Sequence, residues 1–127
     1  MSSHIHMILG RHGEESLEGI IRDLKKFTSV KIVEAIAGNV HESRKELLIW
    51  LFERSGKKNA NNTNRQFWQQ HSHPVELNTT VKLQTRIDYI HNNPVAAGIV
   101  LSPEDYLYSS ALNYAGRPEA LLDVTLA

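Results

Sequence analysis

His4-Ile5-His6 places two imidazoles two residues apart near the start of the chain. Along a β-strand, residues i and i+2 face the same side. Over His4 to Leu9 both rings therefore point one way with Ile8, while Ile5, Met7 and Leu9 point the other. Two imidazoles side by side on a strand form half of a divalent-metal site. Seven histidines in 127 residues also produce chance pairs, so the pair gains meaning only from its company. That company lies far downstream. Tyr89 and Asn93 stand at i and i+4, on one face of a helix that persists that far. A tyrosine phenolate can attack phosphorus and conserve the energy of a phosphodiester bond in a covalent intermediate. A free phenol titrates near about 10, so such a nucleophile needs a cation or a base beside it. An amide oxygen one turn away completes a mixed N/O ligand set, which suits Mg²⁺ or Mn²⁺ with positions left for water and a phosphate oxygen. The metal in such a site polarises the scissile phosphate.

The elements that must position these groups are legible from periodicity. Gly10 to Glu15 reads as a turn. Leu17, Ile20, Ile21, Leu24 and Phe27 then share one face of a helix that Val33 and Ile36 extend to Gly38-Asn39. The opposite face carries Arg22, Lys25 and Lys26. Ser43, with Glu46 three residues on, has the pattern of a capping box for a second helix through Leu47 to Phe52, ending near Gly56. Lys57 to Asn64 is polar and Asn-rich, the composition of a loop. Gln66 to Gln69 reads as a short strand or the start of one, with turn chemistry around Pro74. A third helix begins near Thr79 or Thr80, runs through Ile87, Tyr89 and Ile90, and weakens at Asn93, because a residue before proline is pushed from helical angles. Ser102 caps a last short helix through Tyr106 to Tyr114. Residues 121–125 read as a final strand or a loose tail. No repeat or linker divides the chain, so the expectation is a single α+β unit over 1–127.

Composition narrows the function classes. The chain has no cysteine, which removes disulfides, thiolate metal sites and thiol nucleophiles. Its longest apolar run, Leu47 to Phe52, is far short of a membrane span, and no basic segment with an apolar core marks a signal peptide. The formal net charge is zero, which argues against a protein that coats nucleic acid non-specifically. The charge is unevenly spread: residues 1–75 hold 11 Lys/Arg against 8 Asp/Glu, and residues 76–127 hold 3 against 6. Arg54, Lys57, Lys58 and Arg65 follow one another with no acid between them.

The wording HIHMI (4–8), DLKKFTS (23–29), FWQ (67–69), YIHNNPVAAGIV (89–100) and EDYLYSSALNYAG (104–116) resembles the REP-associated tyrosine transposases. These form a single-tyrosine branch of the HUH transposase superfamily, and the wording is closest to the Bacteroidetes-like branch. The resemblance spans nearly the whole chain in order. It implies a ferredoxin-like (RRM-like) α+β fold, an antiparallel sheet with helices packed on it. It implies His4 and His6 as the HUH metal pair, Asn93 as the third ligand to Mg²⁺ or Mn²⁺, and Tyr89 as the nucleophile. The implied reaction nicks single-stranded DNA beside a hairpin, leaving a 5′-phosphotyrosine and a free 3′-hydroxyl that can reverse the step. The implied setting is the bacterial cytoplasm, at the nucleoid.

On charge alone, Arg22, Lys25, Lys26, Lys57, Lys58 and Arg65 are the DNA-backbone candidates. Trp68 is either a stacking platform or a buried aromatic. Relatives carry a strand and a helix ahead of the HUH strand, and this chain begins almost on the motif. The expectation is therefore an N-terminally truncated fold that a homodimer could repair. A truncated hairpin-DNA-binding protein without cleavage is the alternative function, and a metallohydrolase on another fold is a third. His71-Ser72-His73 adjoins Pro74 and reads as turn chemistry. His91 falls roughly opposite Tyr89 and reads as packing or surface, Tyr106, Tyr108 and Tyr114 as packing of the last helix, and Asp88 as solvated.

Overall fold

The computed structural model describes residues 4–58 and 64–127. Its regular elements are helical: α1 (Leu17–Gly38), α2 (Lys45–Lys57), α3 (Thr80–Ala96), a 3₁₀ turn (Pro103–Asp105) and α4 (Ala111–Tyr114). The chain divides into two compact units. One is Leu9–Pro74; the other joins Met1–Ile8 to Val75–Ala127.

The expected α+β ferredoxin-like sheet is absent among the described residues. His4 to Leu9, Gln66 to Gln69 and residues 121–125 all lie outside regular structure. A strand needs a neighbouring ladder to satisfy its N–H and C=O groups, whereas a helix closes its bonds within itself. These short alternating runs find no ladder. Gln66 N–H instead donates to the Phe52 carbonyl at 2.9 Å, which pins that segment to a helix.

In the Leu9–Pro74 unit, Ser16 sets the start of α1: its Oγ accepts from Gly19 N–H at 3.0 Å. The helix runs without a break past Phe27 to Gly38. Its apolar face is largely uncovered. Val33 is buried, but Leu17, Ile20, Leu24 and Phe27 are exposed, the last at 64%. That face was expected to meet a sheet, and no sheet is there to cover it. α2 starts at Lys45, and no capping box forms from Ser43 and Glu46. Glu42 holds the helix entrance instead, accepting from Arg44 N–H at 2.9 Å and from its Nε at 3.1 Å.

Gly56 fixes where the chain returns to α2. A Cβ there would meet the Arg65 Cα and N and the Asn64 O, each at 2.8 Å. Phe52, Phe67 and Trp68 then stack in sequence, with ring centroids 5.2 and 5.1 Å apart. Trp68 Nε1 donates to Thr28 Oγ1 at 2.9 Å, joining this cluster to α1. Met1 to Ser3 and residues 59–63 of the expected polar loop lie outside the described residues.

In the other unit, Thr79 caps α3, its Oγ1 accepting from Lys82 N–H at 3.2 Å. The helix does not weaken at Asn93; it continues through Pro94 to Ala96. Pro94 removes the N–H that would reach Ile90, but so near the end only the last turn depends on that bond. Ala97 N–H closes onto Asn93 O at 3.0 Å, and Gly98, at φ 68°, turns the chain away. The single last helix expected from Ser102 is divided. Asp105 Oδ2 accepts from Ser102 N–H at 3.1 Å around the 3₁₀ turn, and Ser109 Oγ accepts from Ala111 N–H at 3.2 Å before α4. Such local side-chain bonds compete with a continuous helix. Ile87, Pro94, Ala111 and Leu112 are the buried residues of this unit.

Candidate active site

The unit that holds α3 also holds the His4–Ile8 segment, so the residues expected to do chemistry share one compact body. His4 and His6 are not on a paired strand. Their rings nevertheless lie together, with centroids 4.9 Å apart and planes 84° apart. His6 in turn meets the ring of Tyr89, with centroids 5.6 Å apart and planes at 78°. Tyr89 reaches this position from the middle of α3, and half of its surface is open to solvent (51%). A nucleophile that must reach a polymer substrate needs that access.

Asn93 stands one turn later on α3. Its Nδ2 donates to the Tyr89 carbonyl at 3.1 Å. That bond uses the amide nitrogen and leaves Oδ1 as the donor atom available to a cation. The structure therefore brings His4, His6 and Tyr89 into ring contact and ties Asn93 to Tyr89 through the helix.

Two imidazoles and an amide oxygen are the donor types of the expected Mg²⁺ or Mn²⁺ site. Burial, and then the neighbouring His4, hold the His6 imidazole below its ordinary titration range. The neutral ring is the form that ligates a metal. Among the described residues no three His, Asp or Glu side chains gather as a metal group.

His91 lies on another side of α3. Its Nε2 is 2.9 Å from Ser110 Oγ, and its ring packs on Tyr114 at 5.1 Å. With Asp88, Glu104 and Tyr114 it lines a cavity of about 260 Å³. Asp88 Oδ1 accepts from Gln84 Nε2 at 2.9 Å. Tyr114 Oη accepts from Ala127 N–H at 3.2 Å, whereas Tyr108 is 76% exposed and packs little.

The six basic candidates all belong to the Leu9–Pro74 unit and fall into two groups. Three of them are engaged. Arg22 pairs with Asp23 at 2.9 Å, Arg65 pairs with Glu53 at 3.1 Å, and Lys25 Nζ donates to Gln69 O and Ser72 Oγ at 3.0 and 3.1 Å. Among the described residues Lys26, Lys57 and Lys58 make no ion pair. Trp68 is a packing residue bonded to Thr28. Sequence reasoning counts Arg54 only as a charge and passes over Trp50, yet the guanidinium lies 5.0 Å from the indole centroid. Their i, i+4 spacing on α2 is the signal that would have found them.

No protein-family model, no curated protein and no solved structure matches this chain. Among the described residues, no helix is long and apolar enough to cross a membrane.

Proposed function

We propose that this chain is a metal-dependent tyrosine transposase that nicks and rejoins single-stranded, hairpin-bearing DNA. The observation that carries the reading is the contact of His6, itself beside His4, with the accessible ring of Tyr89. The resemblance of YIHNNPVAAGIV and HIHMI to the REP-associated tyrosine transposases supports the same assignment.

Tyr89 Oη is the nucleophile. It attacks a backbone phosphorus, the phosphorus–O3′ bond breaks, and the 3′ oxygen leaves as a hydroxyl after taking up a proton. The phenolic proton is lost to solvent. Tyr89 then carries the 5′-phosphate in a phosphodiester, and attack by a 3′-hydroxyl reverses the step, rejoining the strand and freeing the tyrosine. His4, His6 and the Asn93 amide oxygen would hold a divalent cation, Mg²⁺ or Mn²⁺, which would polarise the phosphate and favour the phenolate. Asn93 also bonds the backbone of Tyr89, so the nucleophile and the third ligand move together.

The test is incubation of the full chain with 3′-labelled hairpin DNA and Mn²⁺, followed by a denaturing gel. A labelled protein band that Tyr89→Phe abolishes supports the reading. Retention of the DNA without cleavage would instead favour a hairpin-binding protein that does not cut.

A further inference from the structure

Trp50, Arg54, Lys57 and Lys58 recur at helical spacing along one side of α2. With Glu53 they line a concavity of about 250 Å³. Trp50 is half exposed (49%), and the Arg54 guanidinium lies over its ring at 5.0 Å. Glu53 is the one acid present, and Arg65 engages its Oε1 through Nη2 at 3.1 Å and Nε at 3.3 Å. Arg54, Lys57 and Lys58 therefore face solvent as a cationic row beside Trp50, and the one acid among the lining residues is already paired. From Trp50 to Lys58 the helix rises about 12 Å.

We infer that this face of α2 binds single-stranded DNA, with Trp50 and Arg54 stacking on a base and Lys57 and Lys58 contacting the flanking phosphates. A simple polyanion site has no use for an exposed indole. A purely apolar docking face would not end in three cations. Aromatic stacking next to a basic track is the combination that single-stranded nucleic acid requires and that every base can satisfy. The choice of DNA as ligand rests on the proposed function; the geometry of the face does not depend on Tyr89.

The experiment is fluorescence anisotropy of a labelled oligothymidylate of about 15 nucleotides with the full chain. Trp50→Ala should weaken binding about tenfold, and Trp50→Phe should restore most of it. Lys57→Gln with Lys58→Gln should weaken binding and lower the slope of log K against log[salt] by about 1.4, at ~0.7 per phosphate contact. Circular dichroism confirms that each variant keeps its helices. Trp50→Ala binding like the wild type would overturn the inference, and so would competition by polyglutamate as effective as that by unlabelled oligothymidylate. The same wild-type protein is also tested for a covalent adduct with the hairpin-bearing DNA and Mn²⁺. Trp50-dependent binding without an adduct would sink the nickase reading and leave this one standing. An adduct with Trp50-independent binding would do the reverse.

Discussion

His6 sets its ring nearly perpendicular to that of Tyr89, with centroids 5.6 Å apart, and this contact joins the N-terminal segment to the middle of α3. It places a titratable imidazole beside a phenol whose side chain is half exposed. Everything proposed about catalysis depends on that adjacency.

Mn²⁺ binding should depend on the histidine pair. His4→Ala and His6→Ala each weaken Mn²⁺ binding more than about tenfold, and Asn93→Ala weakens it less. Electron paramagnetic resonance of free Mn²⁺ in titrations of each variant measures this directly. Equal binding by wild type and both histidine variants would remove the site.

Gly56 is predicted to be intolerant of a side chain. Gly56→Ala drives a Cβ against the Arg65 and Asn64 backbone and should cost about 1–3 kcal/mol in urea unfolding. Gly38→Ala is the control, because a Cβ there meets nothing within 4 Å. It should leave stability unchanged or raise it by about 0.5–1 kcal/mol.

The bond from Trp68 to Thr28 is testable by a double-mutant cycle. Trp68→Phe keeps a ring against Phe67 but loses the indole donor, and Thr28→Val loses the acceptor. Each change should cost about 1 kcal/mol, and the double variant less than their sum.

Acid should destabilise the unit containing α3. Burial holds His91 below its ordinary range, while Asp88 and Glu104 act in the opposite sense; burial and His4 lower His6 as well. A histidine with a lowered folded-state pKa binds fewer protons than in the unfolded chain. Stability is then highest above the unfolded value of about 6.5 and falls as the pH drops through it toward the folded value. Thermal unfolding between pH 5 and 7.5 should show that fall, with a shallower slope for His91→Gln.

The helices were legible because their signals are local. Thr79 and the apolar spacing from Leu17 to Ile36 act within a few residues, and the helices formed where those residues allow. The sheet was implied by the resemblance, with alternation only in His4 to Leu9 behind it, yet a strand exists only with a partner, and alternation does not reveal whether one is present. The His4–His6 proximity was legible for a simpler reason: two residues apart, their rings can meet without a ladder. Contact with Tyr89 is long-range, and only the resemblance pointed to it. Charge counting found Lys57 and Lys58, but it could not show that Arg22, Lys25 and Arg65 are already engaged. It also passed over Trp50, because an aromatic inside an apolar run reads as core until its exposure is known.

The most direct test of the central claim is mass spectrometry of the chain after reaction with hairpin-bearing single-stranded DNA and Mn²⁺. The account predicts a peptide containing Tyr89 that carries a nucleotide through a phosphotyrosine bond, and its loss in Tyr89→Phe. Cleaved DNA with Tyr89 unmodified, or an adduct on another residue that survives Tyr89→Phe, would contradict it.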